Sequence, residues 1–153
     1  MKVFIDTSAF YALADKGDRR HLEARAAYDE LTKGKLFTTD HVLVECWFLI
    51  GSRLGREVAI RFWDGIRSGI ITVLQVTLQD LDYAREAIGR FPDQRFSLVD
   101  GTSFAVMERE GIEQVFTFDS HFGIYRFGED NKRRFAVVPR PPSHSARATS
   151  PEA

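Results

Sequence analysis

Apolar residues along this chain follow two spacings. Short runs of β-branched and aromatic character, Lys2 to Ile5, Lys35 to Thr38, Ile70 to Val76, Gln114 to Phe118 and Phe135 to Val138, read as strands. Between them the apolar positions recur at helical spacing. His21, Ala24, Ala27, Tyr28 and Leu31 make one such face, with Glu23, Arg25, Asp29 and Glu30 turned outward. Val58, Ala59, Phe62, Trp63 and Ile66 make a second after Gly55, and Leu78, Leu81, Ala84 and Ile88 a third. Val42 to Ile50 is apolar almost all round, Glu45 excepted, and a helix of that kind is expected at the centre of the core.

Capping residues sharpen the bounds. Asp6-Thr7-Ser8 can cap a helix over Ala9 to Ala14, Thr39 or Asp40 the apolar helix, Thr77 the next, and Ser97 a helix through Glu110 closed by Gly111. Gly34 ends the helix that starts at His21, and Phe91-Pro92-Asp93 breaks another. Strands and helices alternate throughout. The expected class is therefore α/β, a central parallel sheet of about five short strands with helices on both faces. Residues 1–139 are expected to form one domain, and 140–153, made of Pro, Ser, Ala and Arg without an apolar period, a disordered tail.

Composition narrows the function classes. With a formal net charge of -1 there is no general excess of Lys and Arg, so any affinity for nucleic acid has to come from a local arrangement of charge. Cys46 is the only cysteine and cannot form an internal disulfide, which favours a reducing compartment. The start reaches Asp6 too early for the apolar part of a secretory signal, and Val42 to Ile50 is too short to span a bilayer. A cytoplasmic protein is expected.

The chemistry-bearing residues are acids. Asp6 and Asp119 each follow a predicted strand, and in an open α/β sheet ligands bind at the carboxyl ends of the strands. Glu45 interrupts the most apolar helix, where a lone buried carboxylate is costly. Asp100 lies in the first turn of its helix on the face of Ser103, Phe104 and Met107, away from Glu108, Arg109 and Glu110, which read as solvated. Converging carboxylates raise one another's pKa unless a cation offsets the repulsion, and hard oxygen ligands select Mg²⁺ or Mn²⁺. Each acid also has an ordinary structural alternative: Asp6 as a helix cap, Asp119 in a turn with Ser120 and His121, Asp100 complementing the helix dipole, Glu45 paired with a buried Arg.

Four segments in order, Val3-Phe4-Ile5-Asp6-Thr7-Ser8-Ala9, Leu43-Val44-Glu45, Phe96-Ser97-Leu98-Val99-Asp100 and Phe116-Thr117-Phe118-Asp119-Ser120-His121-Phe122, resemble the PIN-domain family, and within it the VapC-type toxins of toxin–antitoxin pairs. Each segment is weak alone; the ordered set is specific, and it covers Lys2 to about Pro139. The resemblance implies a PIN-like fold and a metal-dependent endoribonuclease in which Asp6, Glu45, Asp100 and Asp119 are the catalytic acids and hold Mg²⁺ or Mn²⁺, Glu45 partly through water. It places Ser8 where a hydroxyl hydrogen-bonds a ligand carboxylate or the scissile phosphate. It also implies an RNA substrate, a small antitoxin as partner, and a homodimer, with the aromatic-rich helices as the expected surface. The alternatives are a housekeeping PIN nuclease and a PIN-fold binding module without turnover, which would more naturally have lost an acid. A haloacid-dehalogenase-type phosphatase wants an Asp where Ser8 stands, and a receiver domain wants paired acids near the start.

The other candidates are less pointed. His21, His41, His121 and His144 show no metal-binding spacing; His21 and His41 read as structural, and His121 is close enough to Asp119 to touch substrate. Trp47 and Trp63 read as core or subunit interface. Lys132, Arg133, Arg134, Arg140 and Arg147 form a loose basic run that either holds phosphates or is a solvated end. Asp15, Asp18, Asp80 and Asp82 read as surface.

Overall fold

The computed structural model describes residues 1–142; most of the expected tail, with His144 and Arg147, lies outside the described residues. Its strands are β1 (Lys2–Ile5), β2 (Lys35–Thr39), β3 (Ile71–Leu74), β4 (Gln114–Phe116) and β5 (Ala136–Val138). Its helices are α1 (Thr7–Ala14), α2 (His21–Leu31), α3 (Asp40–Leu54), α4 (Arg56–Ile66), α5 (Leu78–Gly89), α6 (Leu98–Glu110) and α7 (His121–Ile124). All strand pairs are parallel, in the order β3-β2-β1-β4-β5. The expected α/β class with a five-stranded parallel sheet is what forms.

From β1 the chain winds outward through β2 to β3, then returns to pair β4 on the other side of β1. The right-handed crossover rule assigns α1–α4 and α5–α7 to opposite faces, in keeping with the packing of α1 on α2 and α3, α3 on α4, α5 on α6 and α6 on α7. α3 also meets α6.

Two strands are shorter than the apolar pattern suggests, because side chains take their backbone N–H groups. Val76 donates to Asp40 Oδ1 at 3.0 Å, and Phe118 donates to Ser8 Oγ at 2.9 Å, so neither continues a ladder. α7 has no counterpart in the apolar pattern; a helix of four residues is too short to show a period.

The central helix is not the one the sequence suggests. α6 is buried without interruption from Asp100 to Met107, whereas α3 leaves Val44 and Phe48 64% and 73% exposed. Overall apolarity misleads here: α6 fills the interior with Gly101, Thr102, Ser103 and Ala105, small residues that admit close neighbours. Trp47 on α3 and Trp63 on α4 meet edge-on at 6.0 Å, both partly exposed, in an apolar surface patch.

Residues read as surface around α6 also prove structural. Asp80 is 5% exposed: it completes a capping box with Thr77 and accepts from Arg109 Nε at 3.0 Å and Nη2 at 3.0 Å. Burial alone would raise its pKa, but the Arg109 guanidinium and the cap outweigh that and hold it below the usual carboxylate range. Glu108 accepts from the hydroxyls of Tyr83 at 2.7 Å and Tyr125 at 2.9 Å. Both acids bind α6 to its neighbours, an arrangement that helical periodicity does not reveal.

At Gly101, α5 and α6 approach closely: a Cβ there would lie 2.8 Å from Ala84 Cβ and 3.1 Å from Ala84 Cα and O. Gly101→Ala should therefore destabilise the fold by about 1–3 kcal/mol. Gly65→Ala, in α4 with nothing within 4 Å of the added methyl, should instead stabilise it by roughly 0.5–1 kcal/mol. Denaturant titration of both variants decides; equal stabilities would show that the helices are not in close contact at Gly101.

Candidate active site

Winding reverses between β1 and β4, and the carboxyl ends of these adjacent strands border the site. Asp6 follows β1 directly and is 3% exposed, its backbone N–H donating to Phe116 O on β4 at 3.0 Å. Its Oδ2 accepts from the hydroxyls of Ser8 and Thr117, each at 2.9 Å, and more distantly from Ser8 N at 3.4 Å. The two hydroxyls in turn accept backbone N–H groups, Ser8 Oγ from Phe118 and Thr117 Oγ1 from Asp119, each at 2.9 Å. Asp6 is thus both the N-cap of α1 and the hub that ties the loop after β4 to the end of β1.

Asp100 enters from the first turn of α6. Its Oδ2 accepts from Ser97 N at 3.0 Å, in a capping box, and lies 2.8 Å from His121 Nδ1. Asp119 stands beyond the end of β4; its Oδ1 accepts from His121 N at 2.9 Å and lies 3.4 Å from His121 Nδ1. Asp100, Asp119 and His121 offer ligand atoms that all lie within 4.8 Å of one another. His121, left open in the sequence, therefore lies between two of the acids, its ring edge-on to Phe96 at 5.1 Å. The available signal was the Asp-x-His spacing after a strand.

Asp6 and Glu45 stand outside that tight group but act on it by charge. Burial, then the Asp100 charge, pushes the Asp6 pKa up to about 7. Burial raises Asp100 too, with Asp119 adding to it while the Ser97 N–H and His121 oppose. Glu45 is raised first by burial and then by Asp100 and Asp119. Among the described residues no Lys or Arg forms an ion pair with any of the four acids. The alternative of Glu45 paired to a buried Arg therefore finds no partner there, whereas the cap and turn readings of Asp6, Asp100 and Asp119 all hold alongside the clustering.

The remaining candidates separate cleanly. His21 Nδ1 lies 2.8 Å from Ala12 O, a structural contact. The basic run divides: Arg133 reaches Glu113, before β4 at the opposite end of the strands, at 3.7 Å, while Arg140 follows β5 on the side of Asp119.

Raised carboxylate pKa values have a sign for stability. Between the ordinary 3.8 and about 7, folded Asp6 keeps a proton that the unfolded chain releases. Metal-free stability is therefore greatest below the ordinary value and is lost as pH rises towards the folded one; Asp100 and Glu45 act in the same direction. Denaturant midpoints in EDTA should fall from about pH 5 to about pH 8, and Asp6→Asn should remove part of that fall. A midpoint difference unchanged in Asp6→Asn would contradict the assignment.

The comparisons with known proteins agree with this geometry. Residues 3–128 match the PIN domain. A curated relative, the 23S rRNA-specific endonuclease VapC20 of Mycobacterium tuberculosis, is 35% identical over 127 residues, covering 83% of this chain and 96% of the relative. The crystal structure of M. tuberculosis VapC20, described as a Sarcin-Ricin loop cleaving toxin, superposes with a TM-score of 0.76 at 34% identity over 80% of this chain and 93% of that one. DNA-bound VapBC from Salmonella typhimurium superposes with a TM-score of 0.60 over 90% of this chain and 96% of the other, at 16% identity a likeness of fold alone. On the family match and the identity to VapC20 together, this chain belongs to the PIN-domain family.

Proposed function

We propose that this protein is a divalent-metal-dependent endoribonuclease and the toxin of a toxin–antitoxin pair. The observation that carries the reading is the convergence at the winding reversal of two buried carboxylates, Asp6 and Asp100, with half-buried Asp119, where among the described residues no Lys or Arg pairs with them and the imidazole of His121 lies against Asp100 and Asp119. A 35% identical relative named as an rRNA-specific endonuclease supports the substrate class.

The donors fit Mg²⁺ or Mn²⁺. They are hard carboxylate oxygens whose mutual repulsion hydrogen bonds and His121 offset only in part, and Ser103, three positions after Asp100 on α6, carries a buried hydroxyl without a hydrogen-bond partner. Asp6, Asp100 and Asp119, with Glu45 directly or through water, would hold the ion, which supplies activation of a water and neutralisation of charge growing on the phosphate. The chain's own contribution is orientation. Ser8 and Thr117 fix the rotation of Asp6, and the Ser97 N–H and His121 Nδ1 fix Asp100, the hydrogen-bonded backing that ligating carboxylates need. Ser8 thus serves the carboxylate and not the phosphate. Water as the nucleophile leaves a 5′-phosphate and a 3′-hydroxyl and makes no use of the 2′-hydroxyl, so preference for RNA arises in binding.

The partners have surface to meet. Phe10 and Phe62, edge-on at 5.3 Å, border an open groove of about 720 Å³ between α1, α2 and α4 that suits an apolar antitoxin segment. The patch of Val44, Trp47, Ile60 and Trp63 suits a second copy. No helix among the described residues is long and apolar enough to cross a membrane. Action on RNA would place the protein in the cytoplasm.

Purified protein should cut RNA with Mg²⁺ or Mn²⁺ and stop in EDTA; full activity in chelator would refute the metal assignment. Asp100→Asn should fold, by circular dichroism, yet lose more than about a hundredfold in rate, beyond the usual effect of altering groups behind a ligand. Expression of the wild-type chain without an antitoxin should arrest bacterial growth, and soluble Asp6→Ala at equal level should not. Arrest that persists in the variant means the harm is not nuclease activity.

A further inference from the structure

A second cleft, of about 420 Å³, opens over the carboxyl ends of β4 and β5 and shares Asp119 with the acid site. Arg20, Phe118, Val137 and Arg140 line it, with Glu23 one turn along α2 from Arg20. We infer that this cleft holds the nucleotide next to the scissile phosphate, its base stacked on the Arg20 guanidinium and its backbone phosphate met by Arg140. The inference rests on the ribonuclease reading and adds where substrate preference is set.

Arg20 is a prepared platform. Its guanidinium lies over the Phe118 ring at 5.0 Å, Nη1 donates to Phe118 O at 3.0 Å, and its backbone N–H is held by Asp18 Oδ1 at 2.8 Å. The guanidinium is thus held against the ring while it lines the cleft, where a base can stack with its partner already ordered. Phe118 N donates to Ser8 Oγ, which donates to Asp6, so the platform is in register with the acids through two hydrogen bonds.

The charges sort the ligand. Glu23 repels a phosphate on the Arg20 side, which assigns the phosphate to Arg140, exposed and past the end of β5. A carboxylate beside the stacking platform can accept from an exocyclic amino group of a base. Continuity with Asp119 favours RNA over a protein segment as the occupant: a strand whose phosphate lies among the acids has to continue into an adjoining space, and this cleft adjoins it.

The test uses the full chain and an RNA containing its mapped cut site, with Arg20→Ala, Arg20→Lys and Arg140→Ala each checked for a wild-type melting transition. Both Arg20 variants should raise KM about tenfold, with kcat held within about threefold, because Lys keeps the charge but not the plane. They should also relax base preference at one position flanking the cut. Arg140→Ala should raise KM, flatten its dependence on salt and leave base preference alone. Anisotropy titration of the same RNA onto the Asp100→Asn chain should show the Arg20 loss without turnover. Unchanged KM and preference in folded Arg20 variants would overturn the inference, as would a fall confined to kcat. Weakened antitoxin inhibition with RNA kinetics intact would give the cleft to a protein partner. A wild-type chain that cuts no RNA would sink the nuclease reading itself, a result distinguishable from an active enzyme indifferent to Arg20.

Discussion

One carboxylate oxygen, Asp6 Oδ2, holds the two halves of the site together. It accepts the hydroxyl protons of Ser8 on α1 and Thr117 after β4, and those hydroxyls accept the N–H groups of Phe118 and Asp119. Thr117 N–H still reaches Val138 O on β5, but the Phe118 and Asp119 amides bond to side chains and not to a strand, so the ladder stops there and the chain turns towards α7. That turn delivers Asp119 and His121 to Asp100. The geometry of three acids and the length of a strand thus follow from a few hydrogen bonds made at the winding reversal.

This arrangement is unfavourable by itself. Burial raises the pKa values of both Asp6 and Asp100, the Asp100 charge adding to the first and the Asp119 charge to the second, and the hydrogen bonds from Thr117, Ser8, the Ser97 N–H and His121 offset only part of the cost. The site is held in place by stability supplied elsewhere: the uninterrupted burial of α6, the Arg109–Asp80 pair that binds α6 to α5, and the Glu108 bonds to Tyr83 and Tyr125. Groups remote from the acids therefore bear on the geometry of the site, since α6 carries Asp100 and moves with its packing.

The same connectivity joins chemistry to recognition. Phe118 lies between Ser8 and Arg20, bonded to the first through its N–H and to the second through its carbonyl and its ring. A base platform built this way moves with the acids, so a bound strand is positioned relative to them and not merely near them.

Much of this was legible in the residues. Alternating strands and helices, the caps at Asp6, Thr39, Thr77 and Ser97, and the αL glycine at Gly111 are local effects of backbone hydrogen bonding, and they appear where the sequence puts them. The acids were legible because a carboxylate among apolar neighbours stands out in the amino-acid pattern itself. What only the tertiary structure decided depends on partners far apart in sequence. Which apolar helix is central turned on neighbours, so small-residue α6 took the interior and aromatic α3 kept an exposed face. Whether Asp80 was surface turned on Arg109, 29 residues away. The place of His121 turned on a short turn after β4 that brings an imidazole to a carboxylate of another helix. Periodicity records which face of an element is apolar; it does not record what that face meets.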